Sequence, residues 1–351
     1  MKIKLAILEQ DKAYLTRLVS AFGSKYADHF EIFSFTDPEI ALGTLSPSKI
    51  DVLLAGDSFE LDINALPKRC AFAYLVDSND INMLNGQCAI SKFQKADLLY
   101  KQILSIYSEK AGDITSLRST DSGADVVVFC PVSGGVGCST MAAACAVRFA
   151  SQGKKTLYLN LETFGSAETF FSGAGQYTMS DIIFAVKSKK ANLAMKLESC
   201  VRRDARGVCY YAPAGIALDM MEFGTEDRLH LIDELSAEYE RIVLDMDFSV
   251  DRNALQIWER SHAVVLVGDG SAESNAKAKR VYDALTILDK NSDSRLTNRV
   301  AFLYNKVSSK DGHSAALPGV KVLGGAPKYA GAGVRQIVDQ LASMGVFDNI
   351  F

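Results

Sequence analysis

Residues 131–140 read PVSGGVGCST, a glycine-rich turn between the strand-like apolar run Val126–Cys130 and an alanine-rich helical stretch from Thr140 to Ala150. The strand–loop–helix context makes so short a motif a nucleotide site and commits its surroundings to an α/β fold. Glycines let backbone N–H groups turn inward around a phosphate chain, and the dipole at the helix start favours the anion. Lysines normally add the charge that steadies the β- and γ-phosphates and their transition state. This loop contains no lysine. It keeps the cradle without the charges, which points to nucleotide binding with weakened hydrolysis.

Apolar runs and helical stretches alternate on both sides of one polar tract. The front runs are Ile3–Leu8, Ile50–Ala55, Ala71–Val76 and Gln87–Ile90, with helices over Lys12–Gly23 and Gln94–Tyr107. The tract Ser108–Gly123, SEKAGDITSLRSTDSG, lacks periodicity and is rich in Ser, Thr and Gly. It predicts domains at residues 1–108 and 124–351 with residues 109–123 as linker. Behind it come Val126–Cys130, Thr156–Leu161, Gly207–Ala212, Arg241–Asp245, Ala263–Val267, Val300–Tyr304 and Val320–Leu323, with helices such as Glu226–Tyr239 and Ala272–Asp289. Near-continuous apolar strands mean a mostly parallel sheet covered on both faces.

Charge and composition exclude several classes. A net charge of −4 disfavours broad nucleic-acid binding, and the basic clusters, Arg202-Arg203 and Lys187 with Lys189-Lys190, read as solvated helix ends. The seven cysteines never form a CxxC pair, so reduced thiols in a cytoplasm are expected. The histidines, at 29, 230, 262 and 313, have no ligand spacing. No apolar window is long enough to span a bilayer, and MKIKLAILEQ alternates like a strand rather than a signal core. The closing segment VRQIVDQLASMGVFDNIF carries an apolar stripe and is expected to pack on the core.

The loop resembles the deviant Walker A motif of the MinD/ParA ATPases, Lys-Gly-Gly-x-Gly-Lys-Thr/Ser-Thr. On that pattern Ser133 stands at the signature lysine, Cys138 at the Walker lysine, Ser139 at the magnesium hydroxyl and Thr140 at the last hydroxyl. The resemblance implies that Gly134, Gly135, Val136, Gly137, Cys138, Ser139 and Thr140 bind ATP and that Mg²⁺ is held by Ser139 and Asp245. Asp245 ends a Walker B-like strand, YERIVLDMDF. In KKTLYLNLETF, Asn160 and Glu162 take the family's Asp-x-Asp positions, with Glu162 orienting water as the catalytic carboxylate. Asn305, after Ala301–Tyr304, takes the adenine-reading place, and Gly324–Pro327 resembles the loop over the base, making Pro327 a contact.

The front segments resemble a receiver domain whose phosphotransfer residues are displaced. Glu9 stands in the acidic pair beside Gln10, Gly56 takes the phospho-acceptor place with Asp57 one residue late, and Lys92 takes the lysine position. A one-residue shift at a strand end re-aims a side chain, so a receiver-like, flavodoxin-like fold without phosphotransfer is expected. A degenerate receiver ahead of a MinD/ParA-like P-loop domain, together with the segment ARGVCYYAPAGIALDMM, resembles the TadZ/CpaE family of Flp (tight-adherence) pilus assembly proteins. That resemblance implies an ATP-dependent homodimer, at most a slow ATPase, that recruits pilus or secretion proteins through its receiver-like domain. It implies a cytoplasmic protein drawn to a cell pole or the inner face of the membrane. The alternative is an active partition ATPase working on DNA or membrane.

Overall fold

The computed structural model describes residues 2–110, 123–189, 192–291, 295–307 and 317–351. The front strands are β1 (Ile3–Leu8), β2 (Phe30–Phe35), β3 (Val52–Gly56), β4 (Ala71–Val76), β5 (Met83–Leu84) and β6 (Gln87–Ser91). The helices are α1 (Lys12–Lys25), α2 (Pro38–Leu45) and α3 (Ala96–Lys110). Asp11 and Asp37 start α1 and α2 by accepting hydrogen bonds from first-turn amides, and Pro38 fits where no amide donor is needed. The sheet order is β2-β1-β3-β4-β6-β5, parallel and flavodoxin-like except for β5, which pairs antiparallel with β6. Asn85 and Gly86, both at positive φ, make that hairpin's tight turn. Every residue of β3 and β4 is buried, as continuous apolar runs require. Only a short 3₁₀ turn, Ile63–Ala65, lies between β3 and β4, where an α/β crossover ordinarily carries a helix.

The second sheet is built from β7 (Asp125–Pro131), β8 (Thr156–Asn160), β9 (Arg202–Arg203), β10 (Cys209–Tyr210), β11 (Arg241–Asp245), β12 (Ala263–Gly268), β13 (Val300–Val307) and β14 (Lys321–Pro327). Its helices begin with α4 (Cys138–Ser151), α5 (Ala167–Phe170), α6 (Met179–Lys187) and α7 (Leu193–Cys200), although α7 packs elsewhere. They continue with α8 (Leu218–Met221), α9 (Thr225–Ser236), α10 (Arg252–Arg260), α11 (Ala272–Asn291) and α12 (Val334–Ala342). The order β14-β13-β12-β7-β11-β8-β10-β9 is parallel except for the β9–β10 pair. β7 sits between β12 and β11, so the loop leaving it opens at the carboxyl ends of the strands, where such sheets bind ligands. Ala142, Ala143, Ala144 and Ala146 of α4 are buried in the core, and α12 lies against α4 with Val338 and Leu341 buried. The closing segment packs on the core as its stripe predicts.

The compact units differ from the sequence division. The helix α7 belongs to the front unit despite following α6 in sequence. It packs on α3, with Leu193 and Leu197 buried. Glu198 accepts from the Tyr100 hydroxyl at 2.6 Å, and Lys196 donates to the Ser105 hydroxyl at 2.8 Å. Lys196 thus satisfies Ser105, one of the buried polar residues of α3, while the buried Gln102 is bonded by Gln94 and Ser108 donates to the Ser105 carbonyl. The helix α3 runs through Lys110, into the start of the expected linker. The rest of that linker, up to residue 122, lies outside the described residues.

Candidate functional site

The loop after β7 has the backbone its glycines predict. Gly135 (φ +75) and Gly137 (φ +80) are both in the left-handed region, and Gly137 caps α4 with no side chain over the first-turn amides. Gly134 and Gly135 are exposed, Val136 is buried in the core, and Ser133 and Thr140 are half-buried. The arrangement is a turn anchored by Val136 that faces outward through its glycines and the start of α4. Such a turn can hold an anion by backbone N–H groups alone.

Two residues of β13 brace it. The Nδ2 of Asn305 donates to the Val136 carbonyl at 2.8 Å, and its Oδ1 accepts from the Lys306 amide at 2.9 Å. Asn305 is 3% exposed, so both ends of its amide are engaged inside the protein. The sequence assigned it to an adenine edge; the structure uses it to hold the loop. A Cβ on Gly137 would stand 2.6 Å from the Asn305 amide nitrogen, so position 137 has no room for a side chain. Lys306 then reaches over the turn and donates to the Gly135 carbonyl at 2.6 Å.

Below the loop lies a buried acidic cluster. Asp245, at the end of β11, is fully buried. Its Oδ2 accepts from the Tyr158 hydroxyl at 2.6 Å and from Asn160 Nδ2 at 3.0 Å, while Oδ1 is buried with no hydrogen bond of good geometry. Burial, with the Glu162 charge nearby, pushes the Asp245 carboxyl up to about 8 against the pull of the Tyr158 and Ser139 hydroxyls. Glu162 accepts from Asn160 Nδ2 at 3.0 Å and from the Ser139 hydroxyl at 3.4 Å. An orphaned carboxylate oxygen beside a helix-start hydroxyl suits Mg²⁺, which takes few protein oxygens and completes its shell with phosphate and water. The donors present therefore fit a magnesium nucleotide, with Ser139 and Asp245 on the metal side and Glu162 within reach of a water.

Sequence reasoning thus brought Ser139, Asn160, Glu162 and Asp245 to one place. It missed Tyr158, although Tyr158 and Asn160 are two apart on a strand and share a face. It missed Lys306 as well, which contacts a turn far away in the chain. The remaining expected residues fall differently. Gly324–Pro327 is not a free loop: it is part of β14, with Pro327 exposed opposite Val307. Cys138 points inward among core residues, and burial beside Asp245 pushes its thiol well up.

The front unit carries a second site, of a different kind. Glu9, 2% exposed, lies 3.0 Å from Lys92 Nζ, and Lys92 also pairs with Asp77 at 3.2 Å. Burial draws the Lys92 ammonium down, but these two carboxylates more than offset it and leave it raised. Asp57 lies past the end of β3 and is exposed.

Comparison with known proteins fits both halves. Residues 1–108 match the family described as "TadZ-like, receiver domain". No curated protein matches the chain. Among solved structures, a ParA family ATPase from Chlorobium tepidum TLS is 18% identical and covers 65% of this chain and 96% of its own, with a TM-score of 0.53. The septum site-determining protein MinD complexed with Mg-ADP, from Pyrococcus horikoshii OT3, is 15% identical and covers 62% of this chain and 94% of its own, with a TM-score of 0.48. The first of these shows that the back half has a ParA-type fold. A TadZ-like receiver domain ahead of a ParA-type fold matches the TadZ/CpaE description.

Proposed function

We propose, on the premise that a TadZ-like receiver domain here precedes a ParA-type fold, that this chain binds ATP with Mg²⁺ at the turn between β7 and α4. It then works as an ATP-dependent dimer that recruits components of a tight-adherence pilus. The observation that carries the reading is one juxtaposition. A glycine cradle of two left-handed residues stands over Ser139, Glu162 and the orphaned oxygen of Asp245. The backbone N–H groups of Gly134 to Thr140 face the phosphates, with the Val136 and Cys138 side chains turned into the core; Ser139 and Asp245 hold the metal, Glu162 orients water, and Pro327 lies on the base side. When bound, the metal supplies positive charge to the phosphate oxygens. The chain's own part is to position the phosphates by backbone donors and Glu162 beside them.

The same observation limits turnover. A cation placed on the transition state in related chemistry is worth about 10³–10⁵ in rate, and the loop brings none of its own. A protein that holds ATP and turns it over slowly suits a placement role better than repeated partition cycles. Within the basic clusters, Arg202 is paired with Glu168 at 2.6 Å and Lys187 with Glu222 at 3.5 Å. Among the described residues no helix is long and apolar enough to cross a membrane, so the pole or membrane face is proposed as a place of recruitment through the receiver-like domain. Calorimetric titration of ATP with and without Mg²⁺, alongside light scattering with ATP or ADP, tests the reading. Identical oligomers with both nucleotides would remove the nucleotide-gated dimer even with binding intact.

A further inference from the structure

The ammonium of Lys306 stands over a glycine turn whose own residues carry no cation. Its Nζ lies 2.6 Å from the Gly135 carbonyl, and its Cε is 3.3 Å from where a Cβ on Gly137 would be. The backbone there is unusual. Lys306 has φ 58, in a stretch where the pairing of β13 with β14 slips between Tyr304 and Val307. Lysine seldom adopts this region, and an outlier held in place by its surroundings is a pointer to use. Asn305 supplies the hold, tying the loop at Val136 and the Lys306 amide through one side chain. Three carboxylates gather below the turn, Glu162, Asp245 and Asp247, the last accepting from the Thr163 amide at 3.0 Å, while the nearby Arg228 faces Asp247 and is taken up by the Leu161, Met220 and Phe223 carbonyls. A polyphosphate entering that field needs a cation on the loop side as well as a metal on the carboxylate side.

We infer that Lys306 is the phosphate-binding cation of this site, bringing from β13 the charge that Ser133 and Cys138 do not carry. The inference rests on the nucleotide site proposed above, and its ligand class is a nucleoside triphosphate or other polyphosphate. The carbonyl of Gly135 parks the ammonium beside the cradle, and the exposed four-carbon stem lets it turn to a phosphate oxygen without moving the backbone. The charge comes from a different strand than the loop lysine it replaces, so it steadies the bound phosphates without restoring the loop's own catalytic geometry.

The test compares wild type with Lys306→Met and Lys306→Arg, titrating each with ATP–Mg²⁺ and with tripolyphosphate–Mg²⁺. Lys306→Met should bind both about ten- to a hundredfold more weakly, Lys306→Arg should stay near wild type, and the salt dependence of binding should fall in the Met variant. Adding Ser133→Lys to Lys306→Met should recover affinity. Equal affinity of wild type and Lys306→Met overturns the inference and leaves the nucleotide site standing. Wild type that binds tripolyphosphate but not ATP, with loss in Lys306→Met, sustains the inference and removes the nucleotide reading. Binding of neither ligand by wild type overturns both. Thermal melts of each variant separate lost binding from lost folding, and a misfolded Met variant passes the question to Lys306→Gln.

Discussion

The carboxylate of Glu9 fills the space a side chain at position 56 would need: a Cβ on Gly56 would stand 2.9 Å from Glu9 Oε2. The usual phospho-acceptor position is therefore already occupied, and Lys92 is paired with the occupant at 3.0 Å. Glu9, just past β1, is thus engaged with Lys92 beside the position where a phospho-acceptor would stand.

Incubation with a small phosphodonor should leave the mass of the protein unchanged. Gly56→Asp should not create an acceptor. It should destabilise the front unit by about 1–3 kcal/mol from overpacking, and more from a second buried carboxylate. Combining it with Glu9→Gly should recover much of that loss in a denaturant titration. An acid-stable, base-labile adduct on Asp57 would show that the exposed carboxylate can reach the lysine after all.

Deleting residues 1–108 should not release a well-behaved nucleotide-binding domain. The deletion strips α3 from α7 and uncovers Leu193 and Leu197. The truncated chain should associate or aggregate, and replacing both leucines with polar residues should restore a monodisperse species by light scattering. A truncated chain that is monodisperse without those changes would contradict the placement of α7.

Asp245 sets a pH dependence whose sign follows from its surroundings. Its folded carboxyl is raised from 3.8 to about 8 by burial and by the nearby Glu162 charge. Between those values the folded protein keeps a proton that the unfolded chain has released. Stability therefore falls as pH rises, by up to about 1.4 kcal/mol per pH unit. The contribution is complete below the unfolded value and lost as pH passes the folded one. Asp245→Asn should flatten this slope in urea titrations at about pH 5, 7 and 9. A metal bound to Asp245 must displace the same proton, so binding of ATP–Mg²⁺ should strengthen as pH rises toward about 8 and should release protons measurably in buffers of different ionisation enthalpy.

Asn305→Ala should cost about 1–3 kcal/mol, because it leaves the buried Val136 carbonyl without its donor. Amides of residues 134–139 should exchange faster with solvent, and nucleotide affinity should fall along with the loop's order. Unchanged exchange in that segment would mean that the brace is incidental.

The pattern of what was legible follows from range. The strand Arg241–Asp245 and the run Ala71–Val76 carry their own signal, since burial on both faces makes each apolar throughout. The strand β2 went unread because FEIFSF sits at a sheet edge, where aromatics fall on both faces and alternation is lost. Gly207–Ala212 reads as a full strand, yet only Cys209–Tyr210 pairs, opposite the short β9. The site shows the same division. Motif order singles out Ser139, Glu162 and Asp245, which the structure places together, while the contacts of Lys306 with the turn and of α7 with α3 are ones that no local pattern encodes.

Calorimetric titration of the protein with ATP and Mg²⁺, followed by phosphate release from the same sample, decides between a nucleotide-held recruitment protein and a working ATPase. Binding should be saturable and should weaken without Mg²⁺. Turnover should be slower than that of an ordinary partition ATPase, rising when Ser133→Lys supplies a loop charge from its half-buried position. Cys138→Lys should help less, because its side chain starts inside the core beside Asp245. No binding heat at about millimolar ATP, for a ligand site that several backbone donors and a metal should hold more tightly than that, would contradict the account. Fast turnover by wild type would instead replace a nucleotide-held recruitment protein with a working ATPase.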